Sequence, residues 1–320
     1  MSDQYFDEPE PEVTVLSEKI ELLPGVSIQP RIVQTAKGPV ECDLSAGDGP
    51  VALVCHGGIG GVDQARVIAA WLDPRRYRIL SVSRPGYLGT PLDSGRGFED
   101  QADLFAALLD ALDLDKAAVI AASAGGPPAY AMAIRHPERV WALVAIDCVS
   151  GYYDMPETAG AIAQAIFTTD LGQKLLKKIG EARPDLFLKQ IFQSEAYFTK
   201  SQLKAHLDYA MGSDEAKDFV RAFMNTMNPY ATRKPGTDND MVLMRQLTHL
   251  PVERIACPTL IVHGTHDADV KFYDGVYAHE HIVGSERFWI EEGSHLGFWL
   301  SPNAPLAQRA ARDFLDRHRP

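Results

Sequence analysis

The sequence predicts an α/β protein with a doubly wound, mostly parallel sheet, and three observations carry that prediction. Short apolar runs rich in Val, Ile, Leu and Ala recur at 51–55, 78–83, 117–121, 140–146 and 259–263, with a last strand at 287–291. Near-continuous runs of this kind mark strands covered on both faces, as in parallel sheets. Helical spacing of apolar residues fills the intervals at 63–72, 98–112, from Ser123 to 136, and at 306–317. Strand and helix in alternation place successive strands parallel, with the helices on the two faces.

The chain begins MSDQYFDEPEPEV, acidic and proline-containing, without the basic flank or apolar stretch of a secretory signal. Residues 1–25 are read as a loose N-terminal tail, and 26–149 together with 251–320 as the sheet core. Between 150 and 250 the strand-like runs vanish. Phe, Met, Leu, Lys and Glu recur there at helical spacing, as in 163–167, 174–178 and 216–224. This span is read as a helical insertion, with the Pro- and Gly-bearing 228–240 as a loop within it and Leu250-Pro251 as its exit.

Composition narrows the function. With 46% hydrophobic and 23% charged residues over 320 positions, the chain reads as an ordinary globular protein. Its 31 Lys and Arg against 43 Asp and Glu give a net charge of -12, which repels duplex nucleic acid and anionic membranes. No segment reaches the roughly 18 consecutive apolar residues of a membrane span. Cys42, Cys55, Cys148 and Cys257 are scattered and read as free thiols, which with the missing leader leads to an expected cytoplasmic location. No heptad pattern separates monomer from homodimer.

The most specific chemical signal is Val119-Ile-Ala-Ala-Ser-Ala-Gly-Gly126, an apolar strand running into Ser123 and then into a helical stretch. Small residues at Ala121, Ala124, Gly125 and Gly126 leave room for a sharp turn. A serine on such a turn stands above the sheet edge beside a helix N-terminus, whose amides favour developing negative charge. Here the chain resembles the α/β-hydrolase family, whose nucleophile elbow has the pattern G-x-S-x-G, with Ala121 in place of the first glycine. The resemblance spans about 49–150 and 254–320. It implies the α/β-hydrolase fold with a helical cap at 150–250.

A second glycine-rich turn, His56-Gly-Gly-Ile-Gly-Gly61, follows the 51–55 strand. It does not fit a dinucleotide loop, because Asp63 stands where the third glycine of G-x-G-x-x-G belongs. The resemblance implies that this turn and the residue after the nucleophile supply the oxyanion-hole amides. The matching donors are Gly58 and Ala124, with Gly57 and Ile59 as alternatives to Gly58. His56 is read as a structural turn residue, since the family's catalytic histidine comes last in the chain.

Two further strand ends complete the pattern. The loop Gly264-Thr-His-Asp-Ala-Asp-Val270 offers Asp267 as the acid, on the family pattern of glycine, acid and following valine. Asp147, at the end of the 140–146 strand, is its rival, and Asp269 is read as a solvated loop charge. His263, His266, His279 and His281 lack the partners of a metal site. Finally, Glu292-Gly-Ser-His295 precedes the last helix, and the order Ser123, Asp267, His295 is that of α/β-hydrolases.

These parts imply acyl transfer without a metal or organic cofactor. The expected partner is a small-molecule, ester-like substrate, and a carboxylesterase acting on small or medium apolar esters is the leading expectation. Alternatives are a C–C hydrolase of ring-cleavage-type diketones, a proline iminopeptidase-like peptidase, and a non-catalytic ligand receptor. The peptidase is disfavoured because Ile59 replaces the expected proline of its glycine loop and no tryptophan precedes the elbow. Phe167, Phe192, Tyr197, Phe198, Phe219, Phe223, Met224 and Met227 are candidates for an apolar pocket, more of them being expected to pack inside the cap itself.

Overall fold

The computed structural model describes residues 13–153 and 169–320. A nine-stranded sheet runs through it in the order β1-β4-β5-β7-β6-β8-β9-β10-β11. The strands are β1 (Val13–Val15), β4 (Arg31–Thr35), β5 (Gly38–Leu44), β6 (Val51–Cys55), β7 (Arg78–Val82), β8 (Ala117–Ala122), β9 (Val140–Ile146), β10 (Thr259–Gly264) and β11 (Glu286–Ile290). From β7 across to β11 every pairing is parallel, whereas β1, β4 and β5 extend the sheet antiparallel at one edge. A separate hairpin joins β2 (Ile20–Leu23) to β3 (Val26–Ile28).

Successive side chains of β6 serve opposite faces, as a pleated strand requires. Ala52 and Val54 join the apolar layer of α1 (Val62–Ile68) and α11 (Ala304–His318), while Val51, Leu53 and Cys55 join that of α2 (Phe98–Ala111) and α3 (Gly126–Arg135). Helix α9 (Phe272–His281) lies between β10 and β11, and the short α10 (Gly297–Leu300) follows β11. Between β9 and β10 the described residues form α4 (Asp170–Ala182), α5 (Pro184–Glu195), α6 (Lys200–Gly212), α7 (Asp214–Asn225) and α8 (Lys234–Met244). Thr169, Thr199 and Ser213 cap α4, α6 and α7 through their hydroxyls, the side-chain chemistry that starts helices. No helix among the described residues is long and apolar enough to cross a membrane.

Two expectations need correction. Residues 13–25, read as part of a tail, carry β1 and β2, and Leu22 and Leu23 pack against the core. Strand β1 is exposed along its length, so backbone pairing with β4 holds it, and a hydrophobicity pattern does not register that. Likewise 234–240, within the stretch read as a loop, begins α8. Pro235 occupies the first helical turn, where its missing N–H costs nothing. Gly236 is there for contact, since a Cβ would fall 2.2 Å from the Tyr87 ring. The 163–167 stretch and Phe167 lie outside the described residues.

Candidate active site

Parallel strands end at one edge of the sheet, and open α/β sheets bind ligands there. The loops after β6, β8, β9 and β10, together with the loop after β11, converge on a cavity of about 570 Å³ lined by Gly58, Ser123, Ala124, Asp147, Asp269 and His295. Its remaining walls are largely apolar and come from the inserted helices and from core residues such as Ile68, Ile146 and Trp299.

Ser123 directly follows β8 with a φ of 54°, a left-handed conformation that costs a non-glycine residue about 1–3 kcal/mol. Close packing sustains it. A Cβ on Gly125 would fall 2.6 Å from the Cys55 carbonyl and 2.7 Å from that of His56, so only glycine lets α3 start this close to β6. Ala121, the departure from the elbow pattern, is buried in β8 between Cys55 and Ala145, where a methyl group fits the sheet.

The loop after β6 is held by side chains. His56 donates from Nδ1 to the Gly57 carbonyl at 2.7 Å and accepts the Arg84 amide at Nε2 at 3.0 Å. With burial and the nearby Arg84 charge both pushing its pKa well below the ordinary value, His56 is a neutral strut. The Gly57 amide donates to Gln64 Oε1 at 3.1 Å, which removes it as an oxyanion donor. Gly58 lines the cavity, and a Cβ there would meet nothing within 4 Å.

Asp267 and His295 meet: His295 Nδ1 and Asp267 Oδ2 are 2.8 Å apart, and both residues are buried. Asp267 Oδ1 accepts the amides of Asp269 at 2.8 Å and Val270 at 3.0 Å. Burial would raise the Asp267 pKa, but the His295 charge and the His263 hydrogen bond outweigh it and hold the carboxylate below its usual range. Burial would likewise lower the His295 pKa, yet Asp267 and Asp269 carry it well above the ordinary value.

The rival acid, Asp147, spends Oδ1 on the Gly264 amide at 2.7 Å, and burial pushes its pKa up to about 7. His263 sits between the two acids, 3.5 Å from Asp267 and 3.9 Å from Asp147. From the sequence, His263 has no metal-ligand partners beyond the flanking acid; pairing of β9 with β10 adds Asp147 to its surroundings. Asp147, His263 and Asp267 do offer ligand atoms within 4.8 Å of one another. Three of their atoms are engaged: Asp147 Oδ1 with the Gly264 amide, His263 Nε2 with the Val270 carbonyl and Asp267 Oδ2 with His295.

Asp269 is not a solvated loop charge. It lines the cavity, accepts from the Tyr153 hydroxyl at 2.6 Å, and has Oδ2 3.4 Å from His295 Nε2. Glu195, at the end of α5, adds a buried Oε2 without a hydrogen-bond partner among the described residues, and burial raises its pKa to about 8. Of the pocket candidates, Phe219, Phe223, Met224 and Met227 line the cavity. Phe219 stacks on Trp299, with centroids 5.5 Å apart and planes 6° from parallel. Phe192 and Phe198 pack against each other and His206, and Tyr197 is exposed.

Sequence reasoning missed two buried arginines that tie the inserted helices to the glycine loop. Arg84, just past β7, reaches the His56 carbonyl at 3.1 Å and pairs with Asp240 of α8 at 2.9 and 2.5 Å, while Tyr87 also donates to Asp240. Arg233 donates to the Gly60 carbonyl at 2.7 Å and to both oxygens of Asp63. A charged residue directly after the apolar 78–83 run signals Arg84; its partner in α8 has no local signal. Asp240→Ala leaves Arg84 as an uncompensated buried charge, and should lower unfolding free energy by about 3–5 kcal/mol in a denaturant titration.

Comparison with known proteins shows the family. The family model described as the alpha/beta hydrolase fold matches residues 50–302. An alpha/beta hydrolase fold protein from Nakamurella multipartita is 36% identical, with a TM-score of 0.83 over 90% of this chain and 99% of its own. The uncharacterized hydrolase YcgS of Bacillus subtilis (strain 168) is 27% identical over 274 residues, covering 84% of this chain and 93% of its own. A pimeloyl-[acyl-carrier protein] methyl ester esterase of Neisseria meningitidis is 25% identical over 244 residues, 76% of this chain and 85% of its own. From the strand order to the turn at Ser123, the chain belongs to the α/β-hydrolase fold family.

Proposed function

We propose that the protein is a serine hydrolase acting by acyl transfer, and that its substrates are small or medium apolar esters. The observation that carries this reading is the 2.8 Å Asp267–His295 hydrogen bond in a cavity that Ser123 also lines. His295 takes the Ser123 hydroxyl proton at Nε2 as Oγ attacks the carbonyl carbon. Asp267 fixes the ring and stabilises the imidazolium that forms. Amides of Gly58 and Ala124 bind the oxyanion, aided by the N-terminus of α3. Collapse breaks the ester C–O bond, His295 protonates the leaving alcohol, and water then releases the acyl group by the same steps.

The inserted helices act as a cap. Ile68, Phe187, Leu188, Phe219, Phe223 and Met224 offer an acyl or aryl group an apolar wall, and the Phe219–Trp299 stack suits a flat substituent. An esterase among the relatives supports the ester reading. The test is labelling with a fluorophosphonate probe, followed by a panel of esters, prolyl amides and vinylogous diketones. We expect label on Ser123 and turnover of esters alone. Failure to label favours a ligand receptor, and faster diketone cleavage favours a C–C hydrolase.

A further inference from the structure

His295 is held by carboxylates at both ring nitrogens. Asp267 Oδ2 stands 2.8 Å from Nδ1, and Asp269 Oδ2 stands 3.4 Å from Nε2, the nitrogen that must receive the Ser123 proton. We propose that Asp269 is a positioning residue for His295: in the substrate-free protein it pairs with Nε2 and keeps the ring as an imidazolium, so that breaking this pair precedes activation of Ser123. The proposal rests on the serine-hydrolase reading.

The two carboxylates differ in reach. Asp267 is fully enclosed, with 0% of its side chain exposed, whereas the Asp269 side chain is 25% exposed and lines the cavity. Asp267 is therefore a permanent partner, and Asp269 is the one a substrate can cover or displace. Asp269 is nonetheless directed, because the Tyr153 hydroxyl donates to its Oδ1 at 2.6 Å and leaves Oδ2 for His295. Two other acids act on His295: Asp147, just past β9, adds to the raising of its pKa, and the buried Glu195 at the end of α5 interacts with its charge. Lys271, the cation next along the loop, spends its ammonium on the Tyr197 hydroxyl and the Ala268 carbonyl.

The proton balance is simple. An Nε2–H held beside Asp269 Oδ2 must leave to solvent before Nε2 can accept the proton of Ser123, so the reactive fraction rises with pH through the His295 pKa. That pKa stands well above the ordinary histidine value, with Asp269 among its causes. An opposite charge within about 4–6 Å is worth roughly 1–3 pH units.

The test is the pH dependence of fluorophosphonate labelling rate and of ester kcat/KM for the wild type and Asp269→Asn, which keeps the shape and an acceptor for Tyr153. The acid limb of both profiles should move to lower pH by about one unit or more. Asp269→Ser is the second variant if Asp269→Asn does not fold, with the same shift expected. A uniform loss of rate with an unmoved limb would mean that Asp269 only supports the loop, and overturns the proposal. A wild type that never labels instead sinks the serine-hydrolase reading on which it rests.

Discussion

Ser123→Ala should reduce ester turnover by about 10³- to 10⁶-fold while leaving the thermal unfolding midpoint within a few degrees of the wild type. The size of the loss follows from what remains. Without the hydroxyl no acyl-enzyme forms, and only the oxyanion amides and the cavity still act on the carbonyl. Stability changes little because alanine inherits the same φ of 54°, and no core contact of Ser123 is lost. Activity and midpoint measured together decide the matter: a folded variant with retained turnover would falsify the nucleophile assignment.

The second large effect separates the two acids. Asp267→Asn should lower kcat by about 10³- to 10⁴-fold, since the amide can accept from the Asp269 and Val270 amides but then presents an NH2 to the Nδ1–H of His295. The ring must turn or change tautomer, and Nε2 no longer points a lone pair toward Ser123. Asp147→Asn keeps an acceptor for the Gly264 amide and removes a carboxylate that burial already neutralises in part near pH 7, so it should cost less than about tenfold. Steady-state kinetics on both variants ranks them. The reverse order would make Asp147 the acid. In either wild-type profile the active form requires neutral His295, whose raised pKa places the acid limb above the ordinary histidine value.

The parallel half of the sheet was plain in the chain because its strands are buried on both faces and leave continuous apolar runs. The antiparallel edge was not. Strand β1 is exposed throughout, so its place depends on hydrogen bonds to β4, which leave no mark on composition. Proline and glycine in 228–240 misled for a related reason. Pro235 opens α8 instead of ending a helix, and Gly236 answers to the Tyr87 ring, far away in sequence.

The sequence by itself determined the proposed reaction centre in outline: Ser123 in a small-residue turn, and Asp267 and His295 in loops following later strands. Those motifs are local because strand, turn and helix start are local structures, and parallel strands bring their ends to one edge whatever lies between. Only the tertiary structure decided which groups surround them. It placed Asp269 against Nε2 of His295, His263 between Asp147 and Asp267, and Asp240 of α8 beneath Arg84. Charges buried in pairs are stable only when the partner is supplied across the fold, and the partner's distance along the chain carries no pattern. The turn at Ser123 is written in one stretch of sequence, whereas the electrostatic setting of its histidine is assembled from β9, α5 and the loop after β10.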